Sequence, residues 1–199
     1  MIATEQRDAE AVELLVAHES CQVNVVDSAG YGALHIAVLY GISKIVRLLL
    51  TSTHAECIDV NATCNALKRT PLHIACSRGY VDIVSYILAT GRADVNANGV
   101  HTCVWTPLHL ACMANRVEVV TLLASQESCD VNAHAGDREG DTPLHAVARL
   151  PGNIESARVL LSCDRIKPDV RNKCGHTPLD LAYALGEQPL IDLFLGHIN

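Results

Sequence analysis

Two histidine–cysteine pairs have the residue types and the spacing that a metal site would use. His73 precedes Cys76, and His109 precedes Cys112, with two residues between the members of each pair. At that spacing both side chains of a pair lie on one face of a helix. The two pairs together would supply the two nitrogen and two sulfur ligands of a tetrahedral zinc site. A zinc site is therefore one hypothesis for these residues.

The sequence contains none of the short motifs that usually carry catalysis. A G-x-S-x-G nucleophile elbow, a glycine-rich phosphate loop and an H-E-x-x-H helix are absent from the 199 residues. The acidic residues are scattered over predicted helix surfaces and loops. We therefore expect a protein that is not an enzyme and that uses no cofactor.

Charge and composition limit the classes of partner. The formal net charge is -7, whereas a nucleic-acid partner normally requires a basic surface. No stretch approaches the roughly 18 apolar residues of a membrane span, and the first residues lack the apolar segment of a signal peptide. The nine cysteines include no C-x-x-C pair, which favours a reducing compartment where several serve as small hydrophobic residues. We expect a soluble cytoplasmic protein, with the nucleus also open, that binds neither nucleic acid nor membranes.

One short phrase recurs along the chain and defines the elements that position these residues. Thr-Pro-Leu begins at Thr70, Thr106, Thr142 and Thr177, and a degraded copy begins at Gly32. The leucines of the five copies fall 38, 36, 36 and 35 residues apart. Such regular spacing indicates an internal repeat.

Each repeat is predicted to be a helix-turn-helix. Threonine is a good N-cap and proline is tolerated at the first helical position, so Thr-Pro begins a helix. An alanine three residues after the leucine gives most copies a small face for close packing. The first helix should end at a residue that accepts the left-handed conformation, namely Gly41, Gly79, Asn115, Gly152 or Gly186. The predicted second helices are Lys44–Leu50, Val81–Leu88, Val117–Leu123, Ile154–Leu161 and Leu190–Leu195.

Asp-Val-Asn follows the second helix in most copies, beginning at Asp59, Asp94 and Asp130. A polar stretch then leads to the next Thr-Pro and suits an extended hairpin, and we expect the aspartate to bond the backbone of its turn. With these features the sequence resembles the ankyrin repeat family, whose signature is a G-x-T-P-L-H-x-A helix start closed by a D-V-N turn. The resemblance covers nearly the whole chain. It implies an all-α fold, an ankyrin-repeat solenoid of stacked helix-turn-helix repeats with β-hairpin finger loops.

The resemblance also gives the repeated histidine a role. In the ankyrin family this histidine hydrogen-bonds the backbone within and between repeats. His35 and His145 recur where no cysteine follows, in keeping with that role. We therefore expect the histidines to be structural, Cys76 and Cys112 to fill small apolar positions, and no metal ion to bind.

A single ankyrin-repeat domain is expected over residues 1–199. Its parts are an N-terminal half-repeat, four repeats and a C-terminal capping repeat, at 1–26, 27–64, 65–100, 101–136, 137–171 and 172–199. The period exceeds the roughly 33 residues usual for the family, so we expect extra residues in loops such as Ser52–Ile58.

By resemblance, a partner would bind the concave surface lined by the fingers and the first, inner helices. Residues just before each Thr-Pro and just before each helix-ending residue lie there, and Asp141 and Leu150 are among them. Several of these positions carry Trp, Tyr, Arg or Met, which are enriched at interfaces. The predicted partner-binding residues are Tyr31, Leu39, Tyr40, Arg69, Arg78, Trp105, Met113 and Arg149.

We expect a protein-protein interaction module, a scaffold or adaptor that is monomeric on its own and binds another protein. The three arginines of the predicted surface, in an otherwise acidic protein, would suit an acidic or phosphorylated segment of the partner. A second hypothesis is a regulatory or sensor domain that binds a small anionic ligand in a groove formed by Trp and Arg.

One modification hypothesis concerns Asn96. The asparagine of an ankyrin D-V-N turn resembles the substrate of an asparaginyl hydroxylase, which favours a leucine eight residues upstream. Leu88 has that position relative to Asn96. The alternative is a purely structural asparagine in the turn, and we favour that alternative.

Overall fold

Short helices make up nearly all of the regular structure. The computed structural model describes residues 1–18, 21–64, 67–99 and 105–198. In chain order the helices are α1 (Ile2–Glu5), α2 (Ala9–Val16), α3 (Ala33–Leu39), α4 (Ser43–Thr51), α5 (Pro71–Arg78), α6 (Val81–Ala89), α7 (Pro107–Met113), α8 (Val117–Ala124), α9 (Pro143–Ala148), α10 (Ile154–Leu161), α11 (Pro178–Leu185) and α12 (Gln188–Ile198). A 3-10 turn, Ala55–Cys57, occupies the predicted loop insertion after α4.

The predicted helix starts and ends are confirmed. Helices α5, α7, α9 and α11 each begin at the proline of Thr-Pro. The residues expected to end the first helices all have positive φ angles, with values of 67°, 79°, 50°, 83° and 71° at Gly41, Gly79, Asn115, Gly152 and Gly186. Each predicted second helix matches α4, α6, α8, α10 or α12, the largest extension being three residues at the end of α12.

The chain divides into two compact units. The first comprises Met1–Ala75 and Tyr80–Asp94, and the second comprises Cys76–Gly79 and Val95–Asn199. In the first unit α2 packs against α4, and α4 packs against α6 and α3. Their fully buried aliphatic side chains include Ile45, Leu49, Ile83 and Ile87.

The second unit contains two rows of helices. The first helices α7, α9 and α11 pack in one row, and the second helices α8, α10 and α12 pack in the other. Leu108, Leu123, Leu144, Leu160 and Phe194 are fully buried in this unit. Each helix thus buries one face against its partner in the same repeat and against the neighbouring repeats, which is how repeat proteins form a core.

Small residues allow this close packing, as predicted. The alanines three positions after the repeat leucine, Ala37, Ala75, Ala111 and Ala182, have no solvent exposure. Cys64, Cys76, Cys112 and Cys129 are also buried, and burial raises the pKa of Cys129 to about 12. These cysteines therefore behave as small hydrophobic residues.

The fingers contain less β structure than the sequence suggested. In the described residues, pairing is limited to the single bridges Val26–Gly32 and Cys64–Arg69. Compact turns are found instead of longer β-ladders. At one of them the Asp27 carboxylate accepts the N–H groups of Ala29 and Tyr31. The predicted turn role of the D-V-N aspartate is confirmed at Asp59, whose carboxylate accepts the N–H of Asn61 at 3.0 Å.

Asparagine side chains join consecutive repeats. In each case the amide nitrogen donates to a carbonyl in the loop of the next repeat, and the amide oxygen accepts the N–H two residues later. The pairs of acceptor and donor are Cys57 and Asp59 for Asn24, Arg92 and Asp94 for Asn61, Ser128 and Asp130 for Asn96, and Arg165 and Lys167 for Asn132.

Two arginines in the same loops bind main-chain carbonyls of the loop that follows the preceding second helix, and Arg165 also binds the last carbonyl of α8. The guanidinium of Arg92 donates to the carbonyls of Ala55, Glu56 and Ile58. The guanidinium of Arg165 donates to four carbonyls, those of Ala124, Gln126, Glu127 and Cys129. A cation at this end of a helix also interacts favourably with the helix dipole.

The N-terminal half-repeat has a short first helix, the single turn α1, before α2. The repeat boundaries placed at residues 65 and 100–101 lie outside the described residues. Among the helices of the described ranges, none combines the length and the apolar character needed to span a bilayer.

Candidate functional site

The repeated histidines belong to the caps of the first helices. Thr106 is the N-cap of α7, and its hydroxyl oxygen accepts the N–H of His109. In return, Nδ1 of His109 accepts the N–H of Thr106 at 3.3 Å. Histidine thus takes the position that Glu or Gln holds in a capping box. The same reciprocal bonds occur at Thr70 with His73, and the carboxylate of Asp180 replaces the ring at Thr177.

The second ring nitrogen connects each histidine to the following finger. Nε2 of His109 lies 2.9 Å from the carbonyl oxygen of Asp141, and Nε2 of His145 lies 2.8 Å from that of His176. A carbonyl only accepts, so we assign the proton to Nε2. Burial lowers the pKa of His109 to about 4, which keeps the ring neutral at neutral pH. The predicted role of the histidine within and between repeats is therefore confirmed at His109 and His145.

This arrangement gives the zinc hypothesis no support. Both ring nitrogens of His109 are already engaged by Thr106 and Asp141. Burial raises the pKa of the Cys76 and Cys112 thiols, which disfavours the thiolate that zinc requires. Within the described ranges, no group of three or more His, Cys, Asp or Glu side chains could hold a metal ion.

A pocket of about 290 Å³ lies in the second unit beside the finger that precedes α9. Trp105 precedes α7 and Met113 ends it, whereas Arg149 and Leu150 follow α9. The finger contributes three carboxylates. The full lining is Trp105, Met113, Asp137, Glu139, Asp141, Ala146, Arg149 and Leu150.

Asp141 connects the pocket to the next finger. Its side chain is 1 % exposed and forms an ion pair with Arg149, and Asn172 donates to its other oxygen at 2.6 Å. Burial alone would raise the pKa of Asp141. The hydrogen bonds from Arg149 and Asn172 outweigh that effect and leave the pKa below its ordinary value. Asp141 is therefore ionised, and it fixes the Arg149 guanidinium at the edge of the pocket.

The next finger holds the carboxylate-bearing finger in place. The N–H of Lys173 donates to the Glu139 carbonyl, and its ammonium donates to the Asp137 carbonyl, both at 2.8 Å. Gly140 has a φ of 61°, and a Cβ there would lie 2.7 Å from the Lys173 side chain. Both the backbone conformation and the space thus favour glycine. The Asp137 carboxylate closes the turn by accepting the Gly140 N–H at 2.8 Å.

Trp105 combines a structural contact with a partly exposed face. Its ring meets the His109 ring edge-to-face, with centroids 5.3 Å apart. The rest of the indole contributes to the pocket lining together with Met113 and Leu150, which are 41 % and 37 % exposed. These three residues form an accessible apolar surface.

The structure brings together three of the eight predicted binding residues. Trp105, Met113 and Arg149 line the one pocket, and Arg78 is exposed at the end of α5 in the same unit. Tyr31, Leu39, Tyr40 and Arg69 belong to the first unit, where Tyr40 is 48 % exposed and lies under the Arg7 guanidinium.

Sequence reasoning missed two lining residues, Asp137 and Glu139. Their positions in the finger were visible, but nothing in the pattern indicated that the finger turns them toward Arg149. The available signal was the run of three acids around Gly140, completed by Asp141.

Asn96, the hydroxylation candidate, has both ends of its amide group engaged. The nitrogen donates to the Ser128 carbonyl at 2.7 Å, and the oxygen accepts the Asp130 N–H at 2.8 Å. These bonds show a structural role in joining two repeats. Hydroxylation of Asn96 stays a prediction.

Known proteins resemble this chain in sequence. A family profile described as ankyrin repeats (three copies) matches residues 1–63, 54–135 and 93–172. Protein phosphatase 1 regulatory subunit 27 of Mus musculus is 35 % identical over 86 residues, or 43 % of this chain and 53 % of that protein. The Homo sapiens protein of the same name is 36 % identical over the same length and shares. Alpha-latrotoxin-Lg1a of Latrodectus geometricus is 31 % identical over 85 residues, 43 % of this chain but 6 % of the toxin. The matches thus span about half the length of the phosphatase subunits.

The fold also matches a solved structure. The ankyrin repeat domain of Bcl-3, described as a unique member of the IkappaB protein family, superposes with a TM-score of 0.86. The match covers 98 % of this chain and 84 % of that domain at 23 % sequence identity, so it supports the fold alone. The predicted all-α ankyrin-repeat solenoid is confirmed. With its repeats matched over residues 1–172, the chain belongs to the ankyrin repeat family.

Proposed function

We propose that this chain is a protein-protein interaction module, a scaffold or adaptor that binds a partner through its fingers and first helices. The observation that carries the proposal is the accessible apolar surface of Trp105, Met113 and Leu150, beside which Arg149 is already paired with Asp141. The repeat fold supports binding rather than catalysis, and two matched relatives are named as regulatory subunits of a phosphatase.

The proposed surface of each unit is made of residues predicted from the sequence, eight in all. In the second unit it is centred on the pocket and extends to Arg78. In the first unit it includes Tyr31, Leu39, Tyr40 and Arg69. A cytoplasmic location is part of the proposal and rests on the cysteine pattern of the sequence.

The charge of the partner segment is a separate part of the proposed function. An acidic or phosphorylated segment would use the arginines, but Arg149 is already paired with Asp141. Arg78 in the second unit or Arg69 in the first would then carry that recognition. The alternative function, binding of a small anionic ligand, is disfavoured by three carboxylates in a pocket whose volume of about 290 Å³ is at the lower limit for small-molecule sites.

Affinity purification from the native source, followed by mass spectrometry, tests the proposal. The bait is compared with the variant Met113→Ala/Leu150→Ala. The matched control, Leu14→Ala/Leu15→Ala, removes two exposed apolar side chains, 76 % and 54 % exposed, from the second helix α2, outside the fingers and first helices. We expect a protein that the wild type and the control capture and that the pocket variant loses. Each captured protein is then purified and titrated directly.

Thermal melting of each bait checks that the variants are folded. Capture that is equal for all three baits would contradict the proposed surface in the second unit. Capture that is lost only with Tyr40→Ala would move the surface to the first unit.

A further inference from the structure

The pocket beside Trp105 has a charge that indicates its occupant. Its lining holds three carboxylates, those of Asp137, Glu139 and Asp141, and one cation, Arg149. The single cation is already committed to the most deeply buried of the three acids, Asp141. Asp137 and Glu139 therefore give the pocket lining more acidic than basic residues.

Neighbouring cations lie outside the lining, and the Lys173 ammonium offsets part of the Asp137 charge from there. The Lys173 ammonium lies against the Asp137 carbonyl oxygen, and its aliphatic chain covers Gly140. Lys173 is not part of the pocket lining. Arg138 is exposed on the same finger and is also outside the lining.

The remaining lining is apolar and suits a single large side chain. The other lining residues are Trp105, Met113, Ala146 and Leu150. Burying an apolar side chain here would remove exposed apolar surface of Met113 and Leu150 from water. An aromatic ring at Trp105 adds the possibility of a cation–π contact for a neighbouring cation.

We propose that the occupant is a segment of a partner protein that presents a large apolar side chain beside a lysine or arginine. The apolar side chain enters the space between Trp105 and Leu150, and the cation pairs with Glu139 and Asp137 at the mouth. This inference rests on the proposed interaction function and specifies the chemistry of the partner at that site.

Synthetic peptides of defined composition test the inference on the full chain. Each peptide carries a central Leu, Met or Phe flanked by Lys or Arg, by Gln, by Glu or by phosphoserine. Trp105 is the only tryptophan of the chain, so its fluorescence reports occupation of the pocket directly. We expect the peptides flanked by Lys or Arg to bind most tightly, with an affinity that falls as salt is added.

A double variant that removes the negative charges of Asp137 and Glu139 is compared with a matched control. Asp137→Asn/Glu139→Gln should weaken the basic peptides by about tenfold and flatten their salt dependence. Asparagine at 137 can still accept the Gly140 N–H, so the turn is retained. The control Glu118→Gln/Asp164→Asn removes two exposed acids of the same unit outside the lining and should leave affinity unchanged.

Each other result overturns the inference. Preferential binding of Glu or phosphoserine peptides would assign the pocket to an acidic segment. Equal affinity in the neutralised variant, or no peptide that alters Trp105 fluorescence, would show that the carboxylates do not select the occupant. After any of these peptide results, a captured partner that is lost with Met113→Ala/Leu150→Ala would leave the interaction function standing while this inference fails.

Discussion

Asp141 shows how a buried charge can support an exposed surface. Its carboxylate is satisfied by Arg149 and Asn172, and its carbonyl accepts from His109 and from the N–H of Ala135. One residue therefore ties the finger to α9, to the next finger and to the preceding repeat. The exposed Arg149 owes its position to this network.

Replacing Asp141 with Asn should lower the free energy of unfolding by about 1 to 2 kcal/mol at neutral pH, because a charge-assisted hydrogen bond is lost. The folded-state pKa of Asp141 is lowered, so this stabilisation is present above the ordinary carboxyl value of 3.8 and disappears as the pH falls through the folded-state pKa. Urea unfolding of wild type and variant measures the difference.

A double-mutant cycle with Arg149→Leu separates the pair from other effects. Arg149 is 40 % exposed, so we expect a coupling energy of only about 1 kcal/mol. Strictly additive effects of the two substitutions would show that the ion pair contributes nothing to stability.

At the level of single residues, the sequence predicted the capping and turn residues of the repeats better than the roles of the pocket residues. The capping role of threonine and the left-handed residues after the first helices follow from signals only a few residues long. The two functions of Trp105 do not, because no residue pattern shows that its ring packs on His109 as well as lining the pocket. Trp105→Ala should therefore affect stability as well as binding, contrary to a purely surface role.

The loops that follow the second helices are more than connections. Arg165 bonds the carbonyl of Ala124, the last residue of α8, and three carbonyls of the following loop, and Arg92 bonds three carbonyls of the loop after α4. The sequence showed only that these loops hold extra residues. Because these contacts join one repeat to the next, no short sequence pattern predicts them.

Arg165→Ala should lower the free energy of unfolding by about 1 to 2 kcal/mol, because several charge-assisted bonds are lost together. Arg165→Lys should recover only part of the loss, since an ammonium cannot reach the same set of carbonyls as the planar guanidinium. Arg158→Ala is the control, because its side chain is 58 % exposed and pairs only with Glu155 in its own helix. Equal losses at 158 and 165 in chemical unfolding would refute a special role for Arg165.

The ends of the first helices give a prediction whose sign depends on backbone conformation. Gly152 has a φ of 83° and open space around a Cβ, so Gly152→Ala should cost about 1 kcal/mol from backbone strain alone. Gly196 lies within α12, also with open space, and Gly196→Ala should stabilise by about 0.5 kcal/mol. Melting temperatures that shift in the same direction for both variants would disprove this account.

Over the whole molecule, the repeated histidines make stability depend on pH. Burial lowers the pKa of His35, His109 and His145, which lie in both units. The unfolded chain binds protons more readily than the folded chain, so stability is complete above the ordinary value of 6.5 and falls as the pH decreases toward the folded-state values.

For His109 the difference between 6.5 and about 4 corresponds to about 3 kcal/mol across that pH window, at about 1.4 kcal/mol per pKa unit. Unfolding free energies measured from neutral pH down to the folded-state value should show the decline. His109→Gln should be less stable than the wild type at neutral pH but should lose less on acidification. An unchanged slope in that variant would exclude His109 as a source of the effect.

The asparagine joints have a consequence for how such a chain can change. Each of the four side chains bonds one carbonyl oxygen and one N–H of the following loop. These bonds therefore depend on the position of the neighbouring main chain and not on which side chains it carries. A repeat with different surface residues could be duplicated, deleted or exchanged by recombination without a compensating change in the neighbouring repeat. The joint that fixes the architecture thus leaves specificity free to diverge.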